Sequence, residues 1–501
     1  MRPSVLVRLV LAGSGTDRLR VGLTVLSSAL AAVALLAAAT VAAVPELGKS
    51  QDGSDAWNDY SSDLIAQPGL RPGVVATLLL TALPILALAG QSIRFGSPAR
   101  DRRLSAMRLA GATPGQAVLI AAGETMVSSL LGSLLGLGAY AVLRSALDRP
   151  GPDGRLPLPT DVVPTPWSIV LILLLVPVLA GLAGALLLRK VIITPLGVVR
   201  RIRDRRPSIL PGVLILAGIF VPFVVKPIGF WIWRHLSHHH VAPTLALVGI
   251  ALIVIAAIFG VLLGTGWIAH TTGRLLHRYS VRPGMLLAGR QLMADPWRGS
   301  RTFAALLAAL IVGAGVYGYQ ALLATQFAAE ERAWRLVGDE ASRDTGFYFQ
   351  TVRLVSLTVG IAMVVAAAGI LVALAEGIVM RRRAYAALVA TGVPRRTIGE
   401  AIVWQTLAPL IPATLVALTV GVGLARAPGG TVSAGADFCA IEPCAENSSG
   451  WREANVTLGI PVPFGHLALL GAAAIVIMVA VVGVGLLFLR QSTDLDELRV
   501  G

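Results

Sequence analysis

Long apolar segments recur along the whole chain, and they constrain its fold more than any other feature. Runs of about 18 residues or more, the length that crosses about 30 Å of hydrocarbon, number ten. They lie at about 21–44, 72–93, 115–143, 167–188, 208–225, 243–268, 302–323, 354–378, 398–425 and 465–489. Gly and Pro are frequent inside the runs and strand-like alternation is missing, which favours helices over a barrel. We therefore predict an all-α polytopic membrane protein with about ten transmembrane helices.

Composition and charge agree with this prediction. The chain is 55% hydrophobic and only 14% charged, which is more apolar surface than a compact soluble core can hide. With the N-terminus placed inside, about 29 of the 42 Lys and Arg fall on one side and about 13 on the other. The positive-inside rule then predicts that both termini are cytoplasmic. The net charge of +15 reflects this topology and attraction to anionic lipid headgroups, so we expect no nucleic-acid partner.

A basic segment between two apolar runs occurs twice in the chain. RDRRLSAMRLAGATPGQ begins at Arg100, and MRRRAYAALVATGVPRRT begins at Met380. A shift of 281 residues aligns the two copies, matching Arg102 with Arg383, Met107 with Leu388, Gly111 with Gly392 and, in the following span, Glu124 with Gln405. The order of spans is the same in both copies, which is typical of a parallel repeat. We predict two four-helix halves, at 1–206 and 282–501, joined by a two-helix linker at 207–281.

Each basic segment has the pattern of a short helix on the predicted cytoplasmic membrane surface. From Arg100 to Leu109, charged and apolar residues alternate at about helical spacing, as in an amphipathic interfacial helix. Gly111 and Gly392 would then end the helix and turn the chain into the next span. The alternative is that the arginines only snorkel and fix the topology.

At these residues the chain resembles the FtsX-like (MacB-type, type VII) permease domain of ABC transporters. The first copy, RDRRLSAMRLAGATPGQAVLIAAGETMVSSLLGSLLGLG, is similar over its whole length. The second copy, RRRAYAALVATGVPRRTIGEAIVWQTL, is looser and has Gln405 in place of the Glu. The stretch LAGRQLMADPWRGSRTFAALLAALIVG resembles the amphipathic approach to the first span of such a domain.

The resemblance implies a non-catalytic permease subunit, with ATP and Mg²⁺ bound by a separate ATPase subunit and not by this chain. It also implies that the helix between the second and third spans of a half contacts the ATPase. Because the chain carries two such helices, we expect two copies of the ATPase subunit per chain. The implied coupling residues are Arg100, Arg102, Arg103, Met107, Arg108 and Gly111 in the first copy, and Arg381, Arg382, Arg383, Leu388 and Gly392 in the second.

The family resemblance also implies a range of activities in a bacterial cell membrane. Relatives export or extract amphiphilic substrates such as peptides, antibiotics or lipids, or transmit ATPase motion across the membrane. Many carry a large extracellular domain, whereas the predicted external loops here are short, the longest being about 40 residues. Expected partners are membrane lipid and, beyond the ATPase, a sensor kinase or a cell-wall hydrolase.

Two polar residues stand about a third of the way into their spans, namely Glu124 and its counterpart Gln405. Ionisable groups in hydrocarbon are costly, which favours a functional role; the alternative is snorkelling or a hydrogen bond between helices. Near the inner ends of their spans, Glu376 and Glu400 are expected at the surface or facing the ATPase.

Two further motifs have weaker interpretations. The segment Leu47–Ser50 resembles the end of a phosphate-binding loop but lacks its first Gly and a preceding strand, so we expect no ATP site there. Four histidines lie between His235 and His240 without any nearby Cys, Asp or Glu. They fit a solvated interfacial loop beside Trp231 and Trp233 better than a metal site.

The only two cysteines, Cys439 and Cys444, lie five residues apart in the last predicted external loop. An oxidising exterior allows a bond between them, so we favour a disulfide over two free thiols.

Two other function classes stay open from the residues alone. One is an ion-coupled secondary transporter, although the spans carry few charges and no pair of broken helices marks a midplane site. The other is a signalling or scaffold membrane protein that transports nothing.

Overall fold

The computed structural model is mostly helical over the residues that it describes. It describes residues 17–45, 60–66, 71–94, 109, 111–152, 154–192, 260–261, 264–337, 346–426, 429–439 and 451–492. The elements in chain order are α1 (Asp17–Ala43), α2 (Asp63–Ala66), α3 (Arg71–Arg94), α4 (Pro114–Leu147), α5 (Pro166–Ile192), α6 (264–279), α7 (Pro283–Ala294), α8 (Pro296–Val337), α9 (Gly346–Met380), α10 (Arg382–Ala390), α11 (Arg395–Ala425), β1 (Thr431–Cys439), β2 (Trp451–Gly459) and α12 (Phe464–Ser492).

Among the described residues, seven helices are long and apolar enough to cross a membrane, namely α1, α4, α5, α8, α9, α11 and α12. All seven overlap predicted spans, and α3 coincides with the further predicted span at 72–93. The predicted span at 208–225 and most of the one at 243–268 lie outside the described residues. The all-α polytopic membrane fold is thus confirmed, while the count of ten stays a prediction.

Helix α8 is much longer than the apolar run that predicts it. Its 42 residues span about 63 Å at 1.5 Å per residue, about twice the hydrocarbon thickness of a bilayer. The segment between the predicted spans at 302–323 and 354–378 is therefore largely helical, since α8 continues to Val337 and α9 begins at Gly346. Ala, Glu, Arg and Leu continue the helix beyond the apolar run because they are strong helix formers.

A two-stranded antiparallel hairpin lies in the last predicted external loop, where the sequence shows no obvious alternation. Its strands β1 and β2 pair in the register Thr431↔Gly459 through Cys439↔Trp451. One face of the hairpin packs on the end of α8 nearest Val337, which we call the outer end. Ala333 and Val337 of the helix and Ala436 and Ala454 of the strands are all buried in this contact. The hairpin thus covers the outer end of α8.

The chain falls into two compact units. The first contains residues 1–203, 364–392 and 483–501, and the second contains residues 204–363 and 393–482. In the first unit α1 packs against α3 and α4, and α4 packs against α5. In the second unit α8 packs against α11 and the hairpin, and α7 packs against α11. The first and third spans of each predicted half are thus direct neighbours, while the domain bounds at 206/207 and 281/282 stay predictions.

Short connections form a small cap on the first unit. Val44, Tyr60, Ile65 and Ala66 make a buried cluster, and the Tyr60 hydroxyl donates to the Asp161 carboxylate at 2.9 Å. Polar side chains satisfy the backbone here, since Arg71 donates to the carbonyl oxygen of Ile65 at 2.7 Å. The cap therefore ties the segment before α3 to the segment before α5.

Candidate functional site

The two glycines that the repeat aligns have the same backbone conformation. Gly111 has a φ of 95° and Gly392 a φ of 90°, values that side chains other than Gly rarely adopt. Gly111 lies two residues before the N-cap residue of α4, and Gly392 directly follows the C-cap residue of α10. The chain therefore makes the same kind of turn before the third span of each half.

The first turn is fixed by a capping box. Thr113 caps α4, with its hydroxyl accepting from the Gln116 backbone N–H at 3.4 Å and its own N–H donating to the Gln116 side chain at 3.1 Å. This explains the Thr of the GAT sequence, because a capping box satisfies two of the free N–H groups at a helix start. In the second copy Pro394 stands at the cap, and Thr391 instead donates to the Leu388 carbonyl at 2.8 Å.

Helix α10 carries the second copy of the basic segment. Arg381 occupies the N-cap position without a side-chain capping bond and is half-buried, and Leu388 is also half-buried. Tyr385 and Ala386 face inward, with 6% and 5% of their surface exposed. Arg382 and Arg383 lie in the helix, but their side chains are outside the described part. The helix is thus anchored by one apolar face.

The first copy of the segment lies almost wholly outside the described residues, and its candidate residues there are Arg100, Arg102, Arg103, Met107 and Arg108. Leu109, at its end, is helical and 91% exposed.

Glu124 forms an ion pair with an arginine of α1 that no sequence motif singles out. The Arg20 guanidinium on α1 donates to the Glu124 carboxylate on α4 at 3.2 Å, and the two side chains are only 5% and 9% exposed. The structure shows a contact between helices, in the form of a buried ion pair, and a functional role of Glu124 stays a prediction. Arg20 could have been found from the sequence, because a lone acidic residue within a membrane span is usually paired with a basic residue on a neighbouring helix.

Two more side-chain hydrogen bonds join α1 to α4. The hydroxyls of Ser28 and Ser129 are 2.8 Å apart, and those of Thr40 and Tyr140 are 2.6 Å apart. Together with the ion pair, they make three polar layers along one helix interface. Such small and hydroxylated residues are typical of packed transmembrane helices.

Glycines let α1 and α4 come together at these layers. A methyl group on Gly132 would collide with the Val25 carbonyl oxygen, and one on Gly136 would lie 2.9 Å from the Ala32 side chain. Both glycines sit on α4 four residues apart, the spacing that allows close helix approach in membranes.

The interface of α8 and α11 in the second half is apolar. Leu306 and Leu410 are completely buried, and a methyl group on Gly421 would lie 2.7 Å from the Ala314 side chain. Gln405 is half-buried on α11. Its position in the chain matches Glu124, but its neutral amide cannot replace the carboxylate of an ion pair.

Helix α7 is the amphipathic approach to α8 that the sequence suggests. Its Gly284 packs against the side chain of Glu400 on α11, where a methyl group would lie 2.9 Å from the Glu400 Cβ. The Glu400 carboxylate is 3.8 Å from the Arg282 guanidinium and is 27% exposed. The Glu400 side chain thus packs against α7 and is only partly exposed to solvent.

Two apolar clefts open beside α8 in the second unit. One, of about 200 Å³, is lined by Gly313, Tyr317, Gly360, Met363 and Leu470 among others. The other, of about 340 Å³, is lined by residues that include Gly315, Tyr319, Val352 and Ala425. The Tyr317 ring stacks on the His466 ring at 4.9 Å, which places polar groups at the edge of the smaller cleft.

The structure describes the remaining candidate residues only in part. Cys439 ends β1 opposite Trp451, but its side chain and Cys444 lie outside the described part, so the disulfide stays a prediction. The segments Leu47–Ser50 and Trp231–His240 also lie outside it. Within the described residues, no three His, Cys, Asp or Glu side chains meet as metal ligands.

Comparison with protein families gives two matches to one family, described as FtsX-like permease C-terminal, at residues 73–196 and 356–493. Together they cover just over half of the chain. Each match runs from the second to the fourth span of a predicted half and includes one basic segment with its glycine turn. Comparison with curated proteins gives no match.

Proposed function

Because the chain belongs to the FtsX-like permease family, and is thus a membrane permease component of an ABC-type system, we propose that it couples ATP hydrolysis in a separate subunit to work across the membrane. The work is export or extraction of an amphiphilic peptide, antibiotic or lipid, or mechanotransmission. The observation that carries this proposal is the pair of glycine turns, Gly111 and Gly392, each between a basic segment and a third span.

The two basic segments, Arg100–Leu109 and Arg381–Ala390, are the contact points for the ATPase. A helix that is anchored by a buried face and carries basic residues can be pushed by a partner. Helix α10 has a buried Tyr385 and two arginines in its first turn. A membrane chain with two such segments takes two ATPase subunits, which bind ATP and Mg²⁺. We place both segments and both termini on the cytoplasmic side.

The lining of the clefts beside α8 supports the proposal that the substrate is amphiphilic. Their walls are apolar side chains and glycines, and the Tyr317–His466 stack supplies polar groups at one edge. A cavity of about 340 Å³ is in the range of small-ligand sites. An apolar chain with a polar head matches this arrangement better than an ion does.

Reconstitution with a co-expressed ATP-binding cassette ATPase subunit tests the proposal. The purified permease in lipid nanodiscs should raise the ATPase rate above that of the ATPase alone. Native mass measurement should give one permease with two ATPase subunits. The proposal fails if the ATPase neither binds nor responds, or if transport runs on a proton gradient without ATP, as an ion-coupled transporter requires.

A further inference from the structure

The contacts between the first and third spans set the register of each half. In the first half, a methyl group on Gly132 would lie 2.8 Å from Ser28 Cβ, and one on Gly136 would lie 2.9 Å from Ala32 Cβ. Both pairs are separated by 104 residues, as 132 minus 28 and 136 minus 32. A residue of α4 thus lies against the residue of α1 that precedes it by 104.

In the second half the separation is three residues larger. A methyl group on Gly421 would lie 2.7 Å from Ala314 Cβ, and one on Gly318 would lie 2.6 Å from Ala425 Cβ. Both pairs are separated by 107 residues, as 421 minus 314 and 425 minus 318. Since the third spans match by a shift of 281 residues, the first spans match by a shift of 278.

This register shows what replaces each polar layer of the first half. Each polar pair of the first half has an equivalent pair of positions in the second half. Arg298 and Gln405 replace Arg20 and Glu124, Leu306 and Leu410 replace Ser28 and Ser129, and Gly318 and Gly421 replace Thr40 and Tyr140. The carboxylate is replaced by an amide and both hydroxyl pairs are lost. Leu306 and Leu410 are completely buried, so an apolar contact stands where the serines meet.

No side-chain hydrogen bond joins residues 303–325 of α8 to residues 396–425 of α11 in the part of the chain that is described. The hydroxyls of Thr406 and Thr325 donate within their own helices, to the Ile402 carbonyl at 2.8 Å and to the Ala321 carbonyl at 2.7 Å. The buried Thr414 hydroxyl has no hydrogen-bond partner among the described residues. Over these two segments, the contact consists of packed small and apolar residues such as Leu306, Leu410 and Gly421.

We propose that the two halves work unequally: the α1–α4 pair stays fixed during the ATPase cycle, and α8 moves against α11. This inference rests on the proposed coupling to an ATPase. Hydrogen bonds and a buried ion pair are satisfied in one register only, because a shift would leave their groups unpaired in a low dielectric. Packed small apolar residues permit the small sliding of helices that is known as shear motion.

The hairpin can transmit a movement of α8 to the predicted external side. Val337 and Ala333 of α8 are buried against β1 and β2, so a shift of α8 is passed directly to the hairpin on the predicted external side. The Arg426 side chain, at the end of α11, donates to the Ile460 carbonyl after β2. The second half therefore links its inner spans to an outer element that a substrate or partner can meet.

Cysteine cross-links in matched positions test this inequality. One variant carries Ala32→Cys with Gly136→Cys, and the other carries Gly318→Cys with Ala425→Cys. Each pair is one Gly and one Ala at the interface of a first and a third span, with Cβ positions 2.9 Å and 2.6 Å apart. Since a disulfide needs a Cβ separation of about 3.5–4.5 Å, both variants move their helices apart by a similar amount, and each is compared with itself before oxidation. Each variant is assayed with the ATPase before oxidation, after oxidation and after reduction, and the oxidised unsubstituted chain controls for Cys439 and Cys444.

Oxidation of the Gly318/Ala425 variant should reduce the ATPase rate to that of the ATPase alone, and reductant should restore it. Oxidation of the Ala32/Gly136 variant should leave the stimulated rate unchanged. The inference is overturned if the first-half cross-link also abolishes stimulation, or if the second-half cross-link does not. Absence of stimulation in the unsubstituted chain would instead refute the proposed function.

Hydrogen–deuterium exchange of the unsubstituted chain gives an independent measurement that needs no variant to fold. With the ATPase bound, addition of a non-hydrolysable ATP analogue should change exchange in peptides from α8 and leave those from α1 and α4 unchanged. Equal changes in α1 and α8, or a change in α1 alone, would contradict the inference.

Discussion

Arg20 and Glu124 form an ion pair across the α1–α4 interface at 3.2 Å, with both side chains almost fully removed from solvent. The Thr24 hydroxyl donates to the Arg20 carbonyl at 2.9 Å, and the Ser128 hydroxyl donates to the Glu124 carbonyl at 2.8 Å. The pair thus lies in a polar layer of the helix interface. An unpaired charge buried at this interface carries a large cost in free energy, so each partner lowers the cost of burying the other.

Removing one partner should therefore be worse than removing both. Glu124→Leu leaves the Arg20 charge buried and should cost about 3 kcal/mol of stability, the usual scale for breaking a buried pair. The double variant Arg20→Leu with Glu124→Leu should recover most of this loss. The midpoint of thermal unfolding in detergent measures both, and a double variant no more stable than Glu124→Leu would contradict the explanation.

An exposed pair gives the matched control. Arg335 and Glu331 form an ion pair one helical turn apart on α8, with side chains 68% and 61% exposed. Water screens such pairs, so Glu331→Leu should change stability by less than about 1 kcal/mol.

A second prediction concerns the close approach of α1 and α4. Gly132→Ala places a methyl group against the Val25 carbonyl oxygen, so the helices must separate, at a cost of about 1–3 kcal/mol for overpacking. Gly138, on the same helix, has no atom within 4 Å of its Cβ position. Gly138→Ala should therefore lose no stability, and equal unfolding midpoints for the two variants would refute the close contact.

The sequence predicts the helices well because apolar runs of bilayer length have few other solutions. It predicts the ends of α8 poorly, since hydropathy marks where a chain leaves the lipid and not where the helix ends. Residues up to Val337 continue the helix as good helix formers. Hydropathy and helix propensity are separate signals, and only their combination gives this boundary.

The hairpin and the ion pair both depend on tertiary contacts. The strands TVSAGADFC and WREANVTLG are rich in small residues and alternate weakly, so their pairing depends on packing against α8. Glu124 is conspicuous in the sequence, but Arg20 resembles any basic residue at a membrane edge. Only the packing of α1 on α4 selects it from the other arginines.

A third prediction tests the contact of the hairpin with α8. Val337 is 1% exposed and faces β1 and β2, whereas its neighbour Leu336 is 67% exposed. Val337→Asp buries an unpaired charge and should release the hairpin, while Leu336→Asp should not. Trypsin should then cut after Arg452 faster in the Val337 variant, and equal rates in the two variants would show that the contact does not hold the strands.

The fourth prediction is that Cys439 and Cys444 form a disulfide at the end of β1. Both lie on the predicted external side, where oxidation is permitted. Peptide mass measurement without reductant should find the two joined and unalkylated in native membranes. Alkylation of both thiols in oxidised native membranes would refute the bond.

The last prediction concerns the two basic segments. If their arginines meet acidic patches on the ATPase, reversal of charge turns attraction into repulsion at both contacts, whereas single exposed pairs are worth about 0–1 kcal/mol and desolvated ones more. Arg102→Glu with Arg383→Glu should therefore detach or uncouple the ATPase, measured by co-purification and by ATPase stimulation. Each single reversal should weaken binding less, because one contact remains. Arg155 is exposed on the opposite predicted side, so Arg155→Glu should change neither quantity. Intact co-purification and stimulation in the double variant would rule out these segments as the coupling site.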